Sequence, residues 1–241
     1  MAAAFCAIHI FVGRLRFLNV TPRSRWLSFA GGVAVGYVFL HILPELGAHG
    51  QTFREATGLA TMFAEAWVYT LSLAGLVLFY GIERAIVVSR DGEMQRGGPE
   101  RPQPGIFWVH IAANSMLAMI VAYLLNHRED AEPLGLALYF VALLLHFVTA
   151  DHAARSDFPE LYDKAGRWAI VAATLAGWAL GVAVQLPKLA IGCLFAFIGG
   201  GIVLVVLKEE LPEERLSRFG PFLLGASIYA ALVLAEQGLV G

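Results

Sequence analysis

Residues Gly31–Glu45 read GGVAVGYVFLHILPE. The first ten carry no charge, and then two ionisable side chains, His41 and Glu45, flank Pro44. The apolar run containing this segment extends over Leu27–Leu43, and about 17–25 such residues span a bilayer as a helix. Similar runs lie at Ala66–Ile82, Gly105–Leu125, Leu134–Ala150, Trp168–Gln185, Leu189–Leu207 and Phe219–Ala235. An eighth candidate, Ala2–Leu18, contains Arg14 and Arg16, which can snorkel to the interface. Backbone groups in lipid must bond within their own segment, so the runs are read as helices. Strand alternation is absent, which argues against a barrel.

Composition agrees. Of the 241 residues, 58% are hydrophobic and 15% charged, against about 25% charged in soluble domains. The net charge of −2 gives no hint of a nucleic-acid partner. Cys6 and Cys193 both sit in apolar runs and make no disulfide framework. The start, MAAAF, lacks the basic residues and cleavage site of a removable signal peptide.

The basic residues give a direction. Numbering the connections between eight spans, the odd ones hold 14 Lys and Arg and the even ones hold 3. Basic connections stay cytoplasmic, so both termini are expected on the non-cytoplasmic side. The long polar connection Val88–Pro104 is expected to be a flexible cytoplasmic loop.

The opening segment recurs. Gly31-Gly32 and Leu43-Pro44-Glu45 have counterparts 168 residues later, in Gly199-Gly200 and Leu211-Pro212-Glu213. The residue four before each Glu is ionisable, His41 in one copy and Glu209 in the other. Spans two and seven run in opposite directions under this topology, and inverted repeats are a recurring transporter design. The expected fold is therefore an all-α integral membrane protein with eight transmembrane helices in a 3+2+3 inverted-repeat arrangement. It forms a single membrane domain: first repeat about 1–88, cytoplasmic loop about 89–104, central helix pair about 105–152, second repeat about 163–241.

On these segments the chain resembles the ZIP (Zrt/Irt-like) family of divalent metal-ion transporters. Its GYVFLHILPE is similar to the family's second helix, and IGGGIVLVVLKEELPEE is similar to the end of the seventh. The resemblance implies eight helices, both ends outside, and a metal site on helices four and five. Helix four of the family carries His-Asn-x-x-Glu/Asp-Gly; here Asn114 is kept, with Ala113 and Leu117 at the His and acid positions. Helix five carries His-Glu-x-Pro-Glu; here HFVTADH keeps His146, has Phe147 and Ala150 at two acid positions, and places Asp151 one residue late.

Ionisable residues within a span are functional candidates by default. His110 and Asn114, four apart, share a helical face. At 1.5 Å per residue, His110 and His146 lie roughly 6–9 Å from the cytoplasmic edge. Two imidazoles and an amide suit Zn²⁺ or another divalent transition-metal ion. Asp151 and His152 are candidate further ligands, although at about 100° per residue Asp151 points roughly 140° away from His146. His41 and Glu45 form a candidate entry site, and Glu209 and Glu213 a candidate exit site. The plainer reading makes His146 and Asn114 interhelical contacts, puts Glu45 among headgroups with Pro44 ending the span, and pairs the late glutamates with Lys208, Arg215 and Arg218. His9, His49 and His127 show no partner at useful spacing.

Three functions compete. The first is a ZIP-type transporter of zinc- or iron-like ions with a degenerate metal site. It would work in the lipid bilayer, in the inner (plasma) membrane of a bacterium, as a homodimer and without an organic cofactor. The second is a non-transporting ZIP-like scaffold or regulatory protein. The third is an intramembrane protease, because Glu213-Glu214-x-x-x-Arg218 matches a motif of the CAAX-type membrane proteases. The order of motifs is wrong for that class and no His-Glu-x-x-His is present, so an enzyme is not expected.

Overall fold

The structure, a computed structural model, describes residues 1–15, 25–58, 60–97, 103–127, 133–210 and 218–240. Among the described residues the chain is all helical. The helices are α1 (Ala2–Phe11, continued by a 3-10 turn through Arg14), α2 (Arg25–Thr57), α3 (Thr61–Gln95), α4 (Pro104–Leu124), α5 (Pro133–Asp157), α6 (Pro159–Ala183), α7 (Lys188–Glu210) and α8 (Phe219–Val240). Seven of them, α2 to α8, are long and apolar enough to cross a membrane. The apolar helix Ala2–Arg14 is shorter; at 1.5 Å per residue it reaches roughly 20 Å, against a hydrocarbon core of about 30 Å. Of the expected span Ala2–Leu18, residues 16–18 lie outside the described residues, as do Leu211, Pro212 and Glu213 of the repeat.

Helix ends differ from those expected. Pro44 does not end α2. A proline lacks the N–H of the helical ladder and its ring presses on the carbonyl four residues back. Here a π-turn over Val38–Ile42 widens the ladder immediately before it, and the helix continues to Thr57. Gly58, with φ 68°, then closes the helix in the left-handed conformation. Helix α3 also overruns its apolar run, continuing from Ile82 to Gln95. Residues 89–95, read as loop, are thus helical, because neither proline nor a cap interrupts SRDGEMQ.

Two helix crossings position the bundle. Helix α2 packs along α8, and α3 along α7. A Cβ placed on Gly32 would lie 2.0 Å from the Phe222 carbonyl oxygen, and one on Gly225 would lie 2.2 Å from that of Phe29. In the other crossing a Cβ on Gly200 would lie 1.8 Å from the Ser72 oxygen, and one on Gly75 would lie 1.8 Å from that of Phe197. Phe197 and Gly200 each stand 168 positions after Phe29 and Gly32, while Phe222 and Gly225 each stand 150 after Ser72 and Gly75. Helices in lipid gain no hydrophobic drive toward one another, so small residues that let backbones touch supply the packing. Helices α4 and α5 both pack between these elements, with α4 lying along α6 and α5 against α2.

The short α1 is held by polar contacts as well as by its buried Phe5. It packs on α5 and α6. His9, fully buried, bonds the Asp151 carboxylate of α5 through Nδ1 at 2.6 Å. The Tyr162 hydroxyl of α6 donates to the His9 carbonyl at 3.4 Å, and the Arg167 guanidinium donates to the Ile10 carbonyl at 3.5 Å. The last carbonyls of a helix have no partner within it, and these side chains supply two.

Candidate metal site

A small cavity opens between α3, α4, α5 and α7. It is lined by Phe79, Ile82 and Glu83 from α3, His110, Ala113 and Asn114 from α4, Ala150 and Ala153 from α5, and Val205 from α7. Its volume of about 20 Å³ admits roughly one water-sized sphere. Lining residues recur along α4 at His110, Ala113 and Asn114, the spacing of one helical face. Ala113 and Ala150, the positions at which the resemblance set out above implies a His and an acid, contribute only methyl groups to the lining and leave space.

His110 is 8% exposed, and its Nδ1 is buried with no hydrogen-bond partner among the described residues. An unsatisfied buried nitrogen beside a cavity is costly and calls for an explanation, such as an unseen ligand. His146 is 2% exposed, with its Nδ1 equally unpartnered. It does not line the cavity. It precedes Ala150 by four residues and Ala153 by seven, so it continues their face of α5 by one turn.

The other expected ligands lie elsewhere. Asp151 turns away from the cavity to His9, as the roughly 140° separation from His146 requires, so it is not a neighbour of His110 and Asn114 in the lining. His152 is half-buried, and its carbonyl accepts the Ser156 hydroxyl at 2.8 Å. Among the described residues no group of three or more His, Cys, Asp or Glu side chains is placed to hold a metal ion. Of the expected ligands, His110 and Asn114 line the cavity together, while His146, Asp151 and His152 are not in its lining. The physical reason is helical phase, because residues 146 and 151 cannot share one direction on an unbroken helix.

His41 lies in the π-turn of α2. Its Nδ1 bonds the Tyr229 hydroxyl at 3.0 Å, and its ring stacks on Tyr37 at 5.6 Å between centroids. Glu45 is half-buried one turn on. Glu209 lies in the last turn of α7, and Glu213 lies outside the described residues.

Two side chains escaped the reading of the sequence. Glu83 follows the apolar run Ala66–Ile82 directly, within a helix that continues to Gln95, and the absence of any helix stop after it is the signal. Its carboxylate pairs with the Lys208 ammonium of α7. His9 is an ionisable residue inside an apolar run, a signal in itself, but its partner is 142 residues away.

These features define an all-α, multi-pass integral membrane protein with a small cavity between its helices, into whose largely apolar lining Glu83, His110 and Asn114 are set. No family model matches the chain, and no solved structure matches it. Among curated proteins it is similar to "Zinc transporter ZIP13" from Pongo abelii, with 27% identity over 224 residues, 86% of this chain and 56% of that protein. The chain spans about half the length of the curated relative it matches. The resemblance read from GYVFLHILPE is thus accompanied by distant homology along most of the sequence, to a protein whose name is that of a transporter.

Proposed function

We propose that the chain carries a divalent transition-metal ion, zinc- or iron-like, across a membrane by a ZIP-type mechanism. The observation that carries this reading is the unpartnered His110 nitrogen beside a cavity that also presents Asn114. Imidazole nitrogen and amide oxygen are ligands for such ions. A transport site must release its ion, and a site with few protein ligands leaves positions for exchange. His146, one turn along α5 from Ala150, is a second station for an ion leaving the cavity.

The architecture proposed is 3+2+3: α1–α3 and α6–α8 as inverted repeats around the α4–α5 pair. The matched glycine crossings support it, since α2 with α8 and α7 with α3 exchange roles under such a symmetry. All eight helices cross in this reading, α1 as the shortest, and both termini lie on the non-cytoplasmic side of a bacterial plasma membrane. The protein acts as a homodimer. A reporter fused after Gly241 that is active only outside the cytoplasm is the expected result; a cytoplasmic signal contradicts the orientation.

A second reading, a non-transporting ZIP-like membrane protein, is favoured by the lack of any cluster of three His, Cys, Asp or Glu side chains among the described residues. Metal analysis of the purified protein separates the two. Bound Zn²⁺, lost by tenfold or more in affinity in His110→Ala, is expected under transport. No bound metal in either protein favours the second reading.

A further inference from the structure

We infer that Glu83 supplies the carboxylate ligand of the metal site and that Lys208 is a tethered counter-ion which the metal must displace. The inference rests on the proposed reading of the cavity as a metal site and goes beyond it. It adds a ligand from α3, where no part of the helix-four and helix-five pattern places one, and a residue that limits access.

Three observations meet here. Glu83 lines the same cavity as His110 and Asn114. A His nitrogen, an amide oxygen and a carboxylate oxygen from two helices make a three-ligand set, which leaves a Zn²⁺-like ion an open position. Glu83 also offers a carboxylate, from α3, to a cavity in which Ala150 of α5 offers none. Next, the Glu83 carboxylate is paired with the Lys208 ammonium. A largely buried carboxylate is stabilised by a counter-charge, and before an ion arrives Lys208 is that charge. Finally, the two partners differ in burial: the Glu83 side chain is 16% exposed and that of Lys208 is 37%. The buried partner stays in the cavity wall. The exposed one sits on a flexible four-carbon stem and can swing outward.

Charge decides the order of events. Glu83, Lys208 and a neutral His110 sum to zero. An M²⁺ ion entering beside a retained ammonium would raise the site to +2, with two cations sharing one carboxylate. With Lys208 withdrawn the site holds +1. Metal binding and the Lys208 contact therefore compete for the Glu83 carboxylate. The exchange has a mechanical consequence, because the Glu83–Lys208 pair joins α3 to α7, two helices already in backbone contact at Gly75 and Gly200. An ion bound to Glu83 and to α4 transfers that tie from α7 to α4. Lys208 thus sets metal affinity and couples occupancy to the grip between helices.

The test is Co²⁺ and Zn²⁺ titration of the purified full chain, with Co²⁺ absorption reporting nitrogen and oxygen ligation. Lys208→Met is expected to bind roughly tenfold tighter than wild type, the size of one charge-assisted hydrogen bond released from competition. Adding Glu83→Gln to Lys208→Met removes the gain and leaves binding weaker than wild type. Lys208→Arg, which holds a carboxylate with two donors, binds several-fold more weakly than wild type and serves as the deciding variant if Lys208→Met does not fold. Lys208→Met binding no tighter than wild type, a gain that survives Glu83→Gln, or Lys208→Arg binding as well as wild type would each overturn the inference while the metal site itself stands. If neither wild type nor any variant binds either ion, the metal-site reading fails and the inference fails with it.

Discussion

Replacing His9 by alanine is expected to cost about 3 kcal/mol of stability or more. The imidazole is fully buried and makes a 2.6 Å contact with an Asp151 carboxylate that is itself 4% exposed. Taking away one partner of a buried polar pair leaves the other desolvated and uncompensated, which costs more than the pair contributes net. The measurement is thermal unfolding in detergent, where a fall in midpoint on the order of 10 °C is expected. His9→Ala combined with Asp151→Ala should unfold at a higher temperature than the sum of the single losses implies, since neither group is then left alone. An unchanged midpoint in His9→Ala would show that α1 is not anchored through this pair.

The glycine crossings give the second large effect. Gly200→Ala sets a methyl group 1.8 Å from the Ser72 carbonyl oxygen, and Gly32→Ala sets one 2.0 Å from that of Phe222. Both obstacles are backbone, so no side-chain rotation relieves them and the helices must part by more than 1 Å. Overpacking of this kind costs about 1–3 kcal/mol, and these substitutions belong at the upper end or beyond. Gly81→Ala, on the same α3 as Ser72 but with no neighbour within 4 Å, is the control. It should be neutral or stabilising by about 0.5–1 kcal/mol, as alanine is the better helix former. Equal losses at Gly32 and Gly200 are expected because the two crossings are built alike. Loss at one alone would argue against the repeat.

The long helices were legible in the sequence because a bilayer-length apolar run leaves few alternatives. Their ends were less so. Pro44 reads as a stop, yet one π-turn accommodates it, and there His41 packs against Tyr37 and, across to α8, Tyr229. The end of α3 lies beyond Val88, where polarity rises, because nothing in SRDGEMQ stops the helix before Gln95. The 168-residue offset was visible as repeated Gly and Pro-Glu pairs, but the contacts of Gly75 and Gly225 could not be read from spacing.

The candidate site was legible in part. His110 and Asn114 announce themselves by sharing a helical face. The exclusion of Asp151 follows from helical phase, but its partner His9 does not, as the two meet only through tertiary packing. Glu83 joins the cavity because α3 is longer than its apolar run. Ala113 and Ala150 read as losses in the motif, and only in the structure are they the walls of a space.

Under the proposed function His110 is a ligand of the transported ion. Its most direct test is Zn²⁺ uptake into vesicles containing the purified protein, compared with vesicles containing His110→Ala. Saturable uptake by the wild type, reduced at least tenfold in His110→Ala at equal protein and equal fold content, is predicted. Wild-type uptake no greater than in empty vesicles, or uptake unchanged by His110→Ala, would contradict it.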